Sequence, residues 1–189
     1  MIRYGLMAAA LVLAGLASAD EQVMVCHGYG CLVQETVVYS EARLDQIRRQ
    51  LLAAGSAAEE RERLALAIGQ LYAWAGEQTD IRNDKGGNLA DDYVSGRMDC
   101  IDHSTTTTRL LRLLEARGAL RWHRVREPEV RNFALIFPAH YAAVIETIDE
   151  GVSGRGGERF VVDSWFVDNG QPAVILPLDD WKKGAGPDV

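Results

Sequence analysis

One change of hydrophobic period constrains this chain more than any other feature. Between Ser40 and Gly118 apolar residues recur every three to four positions, the helical period. After Gly118 they alternate, as in "LRWHRVRE", "HYAAVIETI" and "RFVVDSWFVD", the period of strands with one buried face. Helices first and strands later imply an α+β class, with N-terminal helices packed on an antiparallel sheet.

The helical half divides into three. "SEARLDQIRRQLLAAG" has Ser40 as N-cap, a stripe of Leu44, Ile47, Leu51 and Leu52, and a stop at Gly55. "SAAEERERLALAIGQLYAWAGEQ" opens with Ser56 and Glu59 in capping-box spacing, and buries Leu64, Ile68, Leu71, Tyr72 and Ala75. "DCIDHSTTTTRLLRLLEARG" begins near Asp99 and ends at a Gly118 C-cap. Four threonines in a row are poor helix formers, because β-branching restricts χ1. Burial in the core is what justifies a helix there. Between the second and third helices, "TDIRNDKGGNLADDYVSGRM" is a polar, Gly-rich loop, of a length that often carries function. Ahead of all three, "VMVCHGYGCLVQETVVYS" is β-prone and is expected as a short strand or irregular entry.

The first 19 residues have one charge, Arg3, then an apolar run from Leu6 to Leu16 and the small-residue site Ala17-Ser18-Ala19. This is the pattern of a bacterial secretory signal, cleaved near Ala19. The run is too short to span a bilayer, which takes about 20 apolar residues. The expected product, residues 20–189, is one exported, periplasmic or secreted domain without a membrane anchor. It carries 19 basic and 27 acidic residues, a net formal charge of −8. That balance argues against nucleic-acid binding, which needs basic patches to neutralise phosphate.

An oxidising compartment favours paired cysteines. Cys26 and Cys31 flank a flexible Gly-containing loop, "CHGYGC", which allows a disulfide. A metal site of Cys26, His27 and Cys31 is the rival, but lacks a fourth ligand. Cys100 is then unpaired, and is either an inert buried thiol or a reactive one. Its place at a helix N-terminus, in the positive end of the helix dipole, is expected to lower its pKa. A thiol nucleophile also needs an imidazole, and a third group to orient that imidazole. His103 lies on the same helix and is read as a surface or capping residue. His140 starts the strand "HYAAVIE", and "RFVVDSWF" follows after the turn-rich residues 149–154. A symmetric hairpin there pairs residues whose numbers sum to about 303, which sets Asp163 opposite His140 on one face.

"GRMDCIDHSTTTTRLLRLLEARG" resembles the Gly-x-x-x-Cys-x-Asp segment and Arg-Gly turn of the transglutaminase-like superfamily, which has the papain-like fold. "HYAAVIE" and "FVVDSW" resemble that family's His and Asp strands. The similarity runs over roughly residues 60 to 168, and is nearest to the bacterial transglutaminase-like cysteine proteinases. The resemblance implies a cysteine hydrolase, a peptidase or amidase, acting on peptide, protein or amide substrates through a thioester. It implies Cys100 as nucleophile, His140 as base and acid, and Asp163 as the orienting carboxylate. Asp102 matches the acid two residues after the family's cysteine, and is expected to bond backbone near the helix start. Trp165 is expected as a core lid. The chain departs from the family at His103, where an aromatic often stands, and in the Ser and Thr of the helix. The same triad serves an acyl transferase of the transglutaminase kind, and a catalytically inactive binding module keeps the same fold. No cofactor is required. Asp91, Asp92, Asp99 and Asp102 offer the hard oxygen ligands of calcium, or are solvated loop charge.

Overall fold

A computed structural model of the chain describes residues 20–87, 91–132, 139–148 and 157–187. The leader and the 149–154 connection expected above lie outside the described residues. The elements run β1 (Glu21–His27), β2 (Val33–Tyr39), α1 (Glu41–Leu52), α2 (Ala57–Gly76), a 3₁₀ turn (Asp80–Asn83), α3 (Cys100–Ala116), β3 (His123–Arg131), β4 (His140–Thr147), β5 (Arg159–Asp163), β6 (Val174–Pro177) and α4 (Leu178–Lys182). The class is α+β. β3, β4, β5 and β6 form one antiparallel sheet in that order, and β1 and β2 form a separate hairpin. The entry segment is therefore two full strands.

The helix ends follow capping chemistry. Ser40 Oγ accepts from the Arg43 amide, and α1 stops at Leu52, before the expected Gly55. Ser56 Oγ accepts from the Glu59 amide, while Glu59 Oε2 takes the Gly55 amide at 2.9 Å. The reciprocal half of that cap thus reaches back one residue further than the capping-box pattern expects. Gly118, at φ +62°, turns the chain out of α3 in the left-handed conformation that glycine adopts freely.

α3 packs between the β1–β2 hairpin and the sheet. Three of its four threonines, Thr106, Thr107 and Thr108, are buried, and each of their hydroxyls has a partner. Thr106 Oγ1 accepts the Cys26 amide at 2.9 Å, Thr107 Oγ1 meets the Tyr72 hydroxyl at 3.0 Å, and Thr108 Oγ1 donates to the Ser104 carbonyl at 2.7 Å. Satisfied hydroxyls remove the cost of burying polar groups, so tertiary contacts override the weak local propensity.

The sheet is apolar on both faces. Ala143, Ile145, Phe160 and Val162 join the main core with α1, α2 and α3. Ala142, Val144 and Val161 form a second cluster with Phe166, Leu178 and Trp181, which covers the opposite face. The β3–β4 ladder shifts register between Arg126 and Glu129, around Pro128, which has no amide to donate. Among the described residues no helix is long and apolar enough to cross a membrane.

Candidate active site

β4 and β5 pair from Ala143↔Val162 to Glu146↔Arg159. Partner numbers sum to 305, not the 303 that a symmetric connection gives. A slip of two leaves every side chain on its face, whereas a slip of one would have reversed them. His140 and Asp163 are therefore diagonal neighbours on the same face. His140 Nε2 donates to Asp163 Oδ2 at 2.8 Å. Asp163 Oδ1 accepts the Trp165 amide at 3.2 Å, and Oδ2 also accepts the Trp181 indole N–H at 3.0 Å. With Asp163 holding the Nε2 proton, the lone pair of a neutral His140 ring sits on Nδ1.

Cys100 is the first residue of α3, behind the N-cap Asp99. β5 pairs with β4 only as far as Ala143, and the thiol lies against the strand residues beyond that point. It donates to the Ala139 carbonyl at 3.6 Å, and the Tyr141 amide donates to it. The sulfur is thus seated on the backbone to either side of His140. Its proton affinity departs from the helix-dipole expectation. Burial raises the thiol's pKa, the Tyr141 amide lowers it, and the Asp99 and Asp163 carboxylates raise it further. Desolvation outweighs the helix N-terminus, so a thiolate here needs a proton acceptor.

Aromatic rings enclose the imidazole. Ring centroids of Trp165, Trp181 and Phe166 lie 4.6, 5.6 and 5.7 Å from that of His140. Trp165 is half-buried and in contact with the imidazole, so it adjoins the site as well as closing the core.

The start of α3 is held by the disulfide loop. Cys26 and Cys31 are bridged, with Cα atoms 4.7 Å apart, which removes both sulfurs from any metal site. Gly28, Tyr29, Gly30 and Cys31 all have positive φ, a run that turns successive amides toward one point. Tyr29 and Cys31 donate to the two oxygens of Asp102, and Gly30 donates to Asp99. Asp102 also accepts the Asp99 amide at 3.0 Å, which completes a capping box. Burial is the main reason the Asp102 carboxyl is pushed up to about 6. Asp91 accepts the Tyr29 hydroxyl at 2.6 Å. Of the four acidic residues, Asp91 and Asp102 are buried and Asp99 is half-buried, while Asp92 is exposed as solvated loop charge is. They do not gather as a calcium cage. Among the described residues the only group of three or more ligand atoms in metal-binding range is Cys26, Cys31 and Asp102.

His103 is buried, not a surface or capping residue. Its Nδ1 meets Ser164 Oγ at 2.9 Å, and its Nε2 lies 3.0 Å from Asp84 Oδ2 at an angle too oblique for a hydrogen bond. Sequence reasoning missed Asp84, Arg131 and Trp181. Asp84 carries no motif, and Arg131 and Trp181 stand outside the stretches that alternate as strands.

No protein-family model, curated protein or solved structure matches this chain.

Proposed function

We propose that the protein is an exported cysteine hydrolase, a peptidase or amidase with a transglutaminase-like arrangement of Cys100, His140 and Asp163. One observation carries this reading. The lone free thiol sits against the backbone of the two residues that flank His140, whose imidazole is bonded to a buried carboxylate. His140 Nδ1 accepts the Cys100 proton, and the sulfur adds to a substrate carbonyl. The N–H groups at the start of α3 are the available oxyanion donors. The carbon–nitrogen bond breaks as His140 returns the proton to the leaving amine, and a thioester remains. Water, deprotonated by the same Nδ1, adds to the thioester and releases acid and thiol. An amine in place of water gives acyl transfer with no change in the protein's groups. The Cys26–Cys31 disulfide fits an oxidising compartment, as export requires.

The raised thiol favours a second reading, a binding module that keeps the arrangement without turnover. Trapping separates the two. The protein is incubated with a library of peptides and simple amides in the presence of hydroxylamine. The enzyme reading expects acyl hydroxamates that disappear in Cys100→Ser. Absence of any hydroxamate, together with a Cys100 no more reactive than a free peptide thiol, would leave the binding module.

A further inference from the structure

The His140–Asp163 pair is completed from an unexpected part of the chain. Asp163 is the last residue of β5, and its carboxylate accepts the His140 ring from β4 and the Trp165 amide from just beyond β5. The further donor to Oδ2 comes from Trp181 in α4, which is fully buried. A buried indole N–H needs an acceptor, and here it takes the same oxygen that receives His140.

α4 is itself fastened to the site. The Arg131 guanidinium stacks on the Trp181 ring at 4.8 Å and donates to the Trp181 carbonyl at 2.9 Å and the Ala185 carbonyl at 2.8 Å. Arg131 ends β3, where it is the cross-strand partner of His140. The contacts close a circuit: His140 to Asp163, Asp163 to Trp181, Trp181 to Arg131, and Arg131 across the ladder back to His140. Four separate elements, β4, β5, α4 and β3, each supply one member.

We infer that Trp181 is a positioning residue. Its indole N–H fixes the Asp163 carboxylate in the rotamer that aims His140 Nδ1 at the Cys100 thiol. This rests on the reading of Cys100, His140 and Asp163 as one working unit. A carboxylate held by two donors on one oxygen from different directions cannot swing, and a ring tied to it keeps its orientation. The C-terminal segment is thereby part of the site and not a mere cover for the sheet.

The test is the rate at which iodoacetamide alkylates Cys100 at pH 7, located by mass spectrometry. Cys26 and Cys31 are bridged, so Cys100 is the one thiol free to react. Trp181→Phe keeps the apolar ring and removes the donor. Its expected effect is a fall of about tenfold, the loss of one hydrogen bond to a charged group. In a His140→Ala background the same substitution is expected to change nothing further, because its path runs through the imidazole. Should Trp181→Phe not fold, benzothienylalanine at position 181 replaces N–H by sulfur at the same shape, with the same fall expected. A wild-type rate in either position-181 variant overturns the inference. So does an equal fall in both backgrounds, which would mark Trp181 as structural only. If His140→Ala itself labels at the wild-type rate, the parent reading fails and this one with it. The order of the variants separates the two failures.

Discussion

Two buried imidazole–carboxylate pairs involve strands of the same sheet and sit in different surroundings. His123 Nδ1 meets Glu60 Oε1 at 2.9 Å, and both residues are shut from solvent. The Arg121 and Trp122 amides also donate to Glu60, and the free side of the ring faces Arg61 at 3.3 Å. Every atom of that pair is committed to protein, and the pair ties the start of α2 to the start of β3. His140–Asp163 has the same chemistry and nearly the same bond length, 2.8 Å. The difference lies in what surrounds the ring: a thiol on the adjacent backbone, and half-buried Trp165. A carboxylate-bound histidine is thus not in itself a sign of catalysis. A third imidazole lies beside a carboxylate without a hydrogen bond to it. His103, between Asp84 and Ser164, borders a cavity of about 10 Å³, too small for anything beyond a single water.

The largest expected effect falls on the contrast itself. His140→Ala should slow alkylation of Cys100 at neutral pH by about 100-fold or more, the usual contribution of a positioned base. His123→Ala should leave that rate unchanged. Its cost should appear in urea unfolding instead, at about 3 kcal/mol, because it removes one partner of a buried pair. Equal effects of the two substitutions on labelling would erase the distinction.

A second comparison sets the disulfide loop against the sheet. Reducing the Cys26–Cys31 bridge frees a short loop, and should lower unfolding stability by about 2 kcal/mol on chain-entropy grounds. It should also loosen the amides that hold Asp99 and Asp102, so labelling of Cys100 should become less uniform in rate. Denaturation with and without a phosphine reductant measures the first effect, and labelling kinetics the second.

The pH dependence of stability pulls in opposite directions in the two regions. Hydrogen bonds from Arg126 hold Glu146, on the sheet, down at about 2, with help from Arg124. A depressed carboxyl adds stability that is present at neutral pH and is lost as pH falls below about 4.5 toward 2. Asp102, raised by burial to about 6 from 3.8, has the opposite sign. Its folded form holds a proton that the unfolded chain releases, so this contribution fades as pH rises from about 4 to 6. Asp102→Asn should flatten the upper part of a stability-versus-pH curve, and Glu146→Gln the lower part.

The smallest effect is expected at Tyr72. Its hydroxyl meets Thr107 and the His103 carbonyl in the core. Tyr72→Phe should cost about 1 kcal/mol and leave Cys100 labelling untouched.

Much of this organisation is visible in the residues before any coordinates. Ser40, Ser56 and Asp99 announce helix starts because capping is local chemistry. The Cys26–Cys31 bridge follows from a short loop with glycines. His140 and Asp163 share a face because strand alternation has period two, and this survived a register error of two. The thiol's environment is different in kind. The helix dipole is a local property that sequence carries, but desolvation by β4 is a property of packing, and it wins. His103 and Asp84 lie 19 positions apart and meet only because α3 is buried on both sides. Trp181 becomes a partner of Asp163 because α4 packs on the far face of the sheet, where Arg131 also bonds its carbonyl. Such contacts between distant segments leave no periodic trace.

The central claim is that Cys100 is raised by its surroundings and activated by His140. It is tested most directly by the pH profile of Cys100 alkylation in the native protein beside His140→Ala. Rapid labelling of the unsubstituted protein is expected at neutral pH, and labelling of the variant only at alkaline pH, where an unassisted, raised thiol ionises. Superimposable profiles, both rising only at high pH, would contradict it.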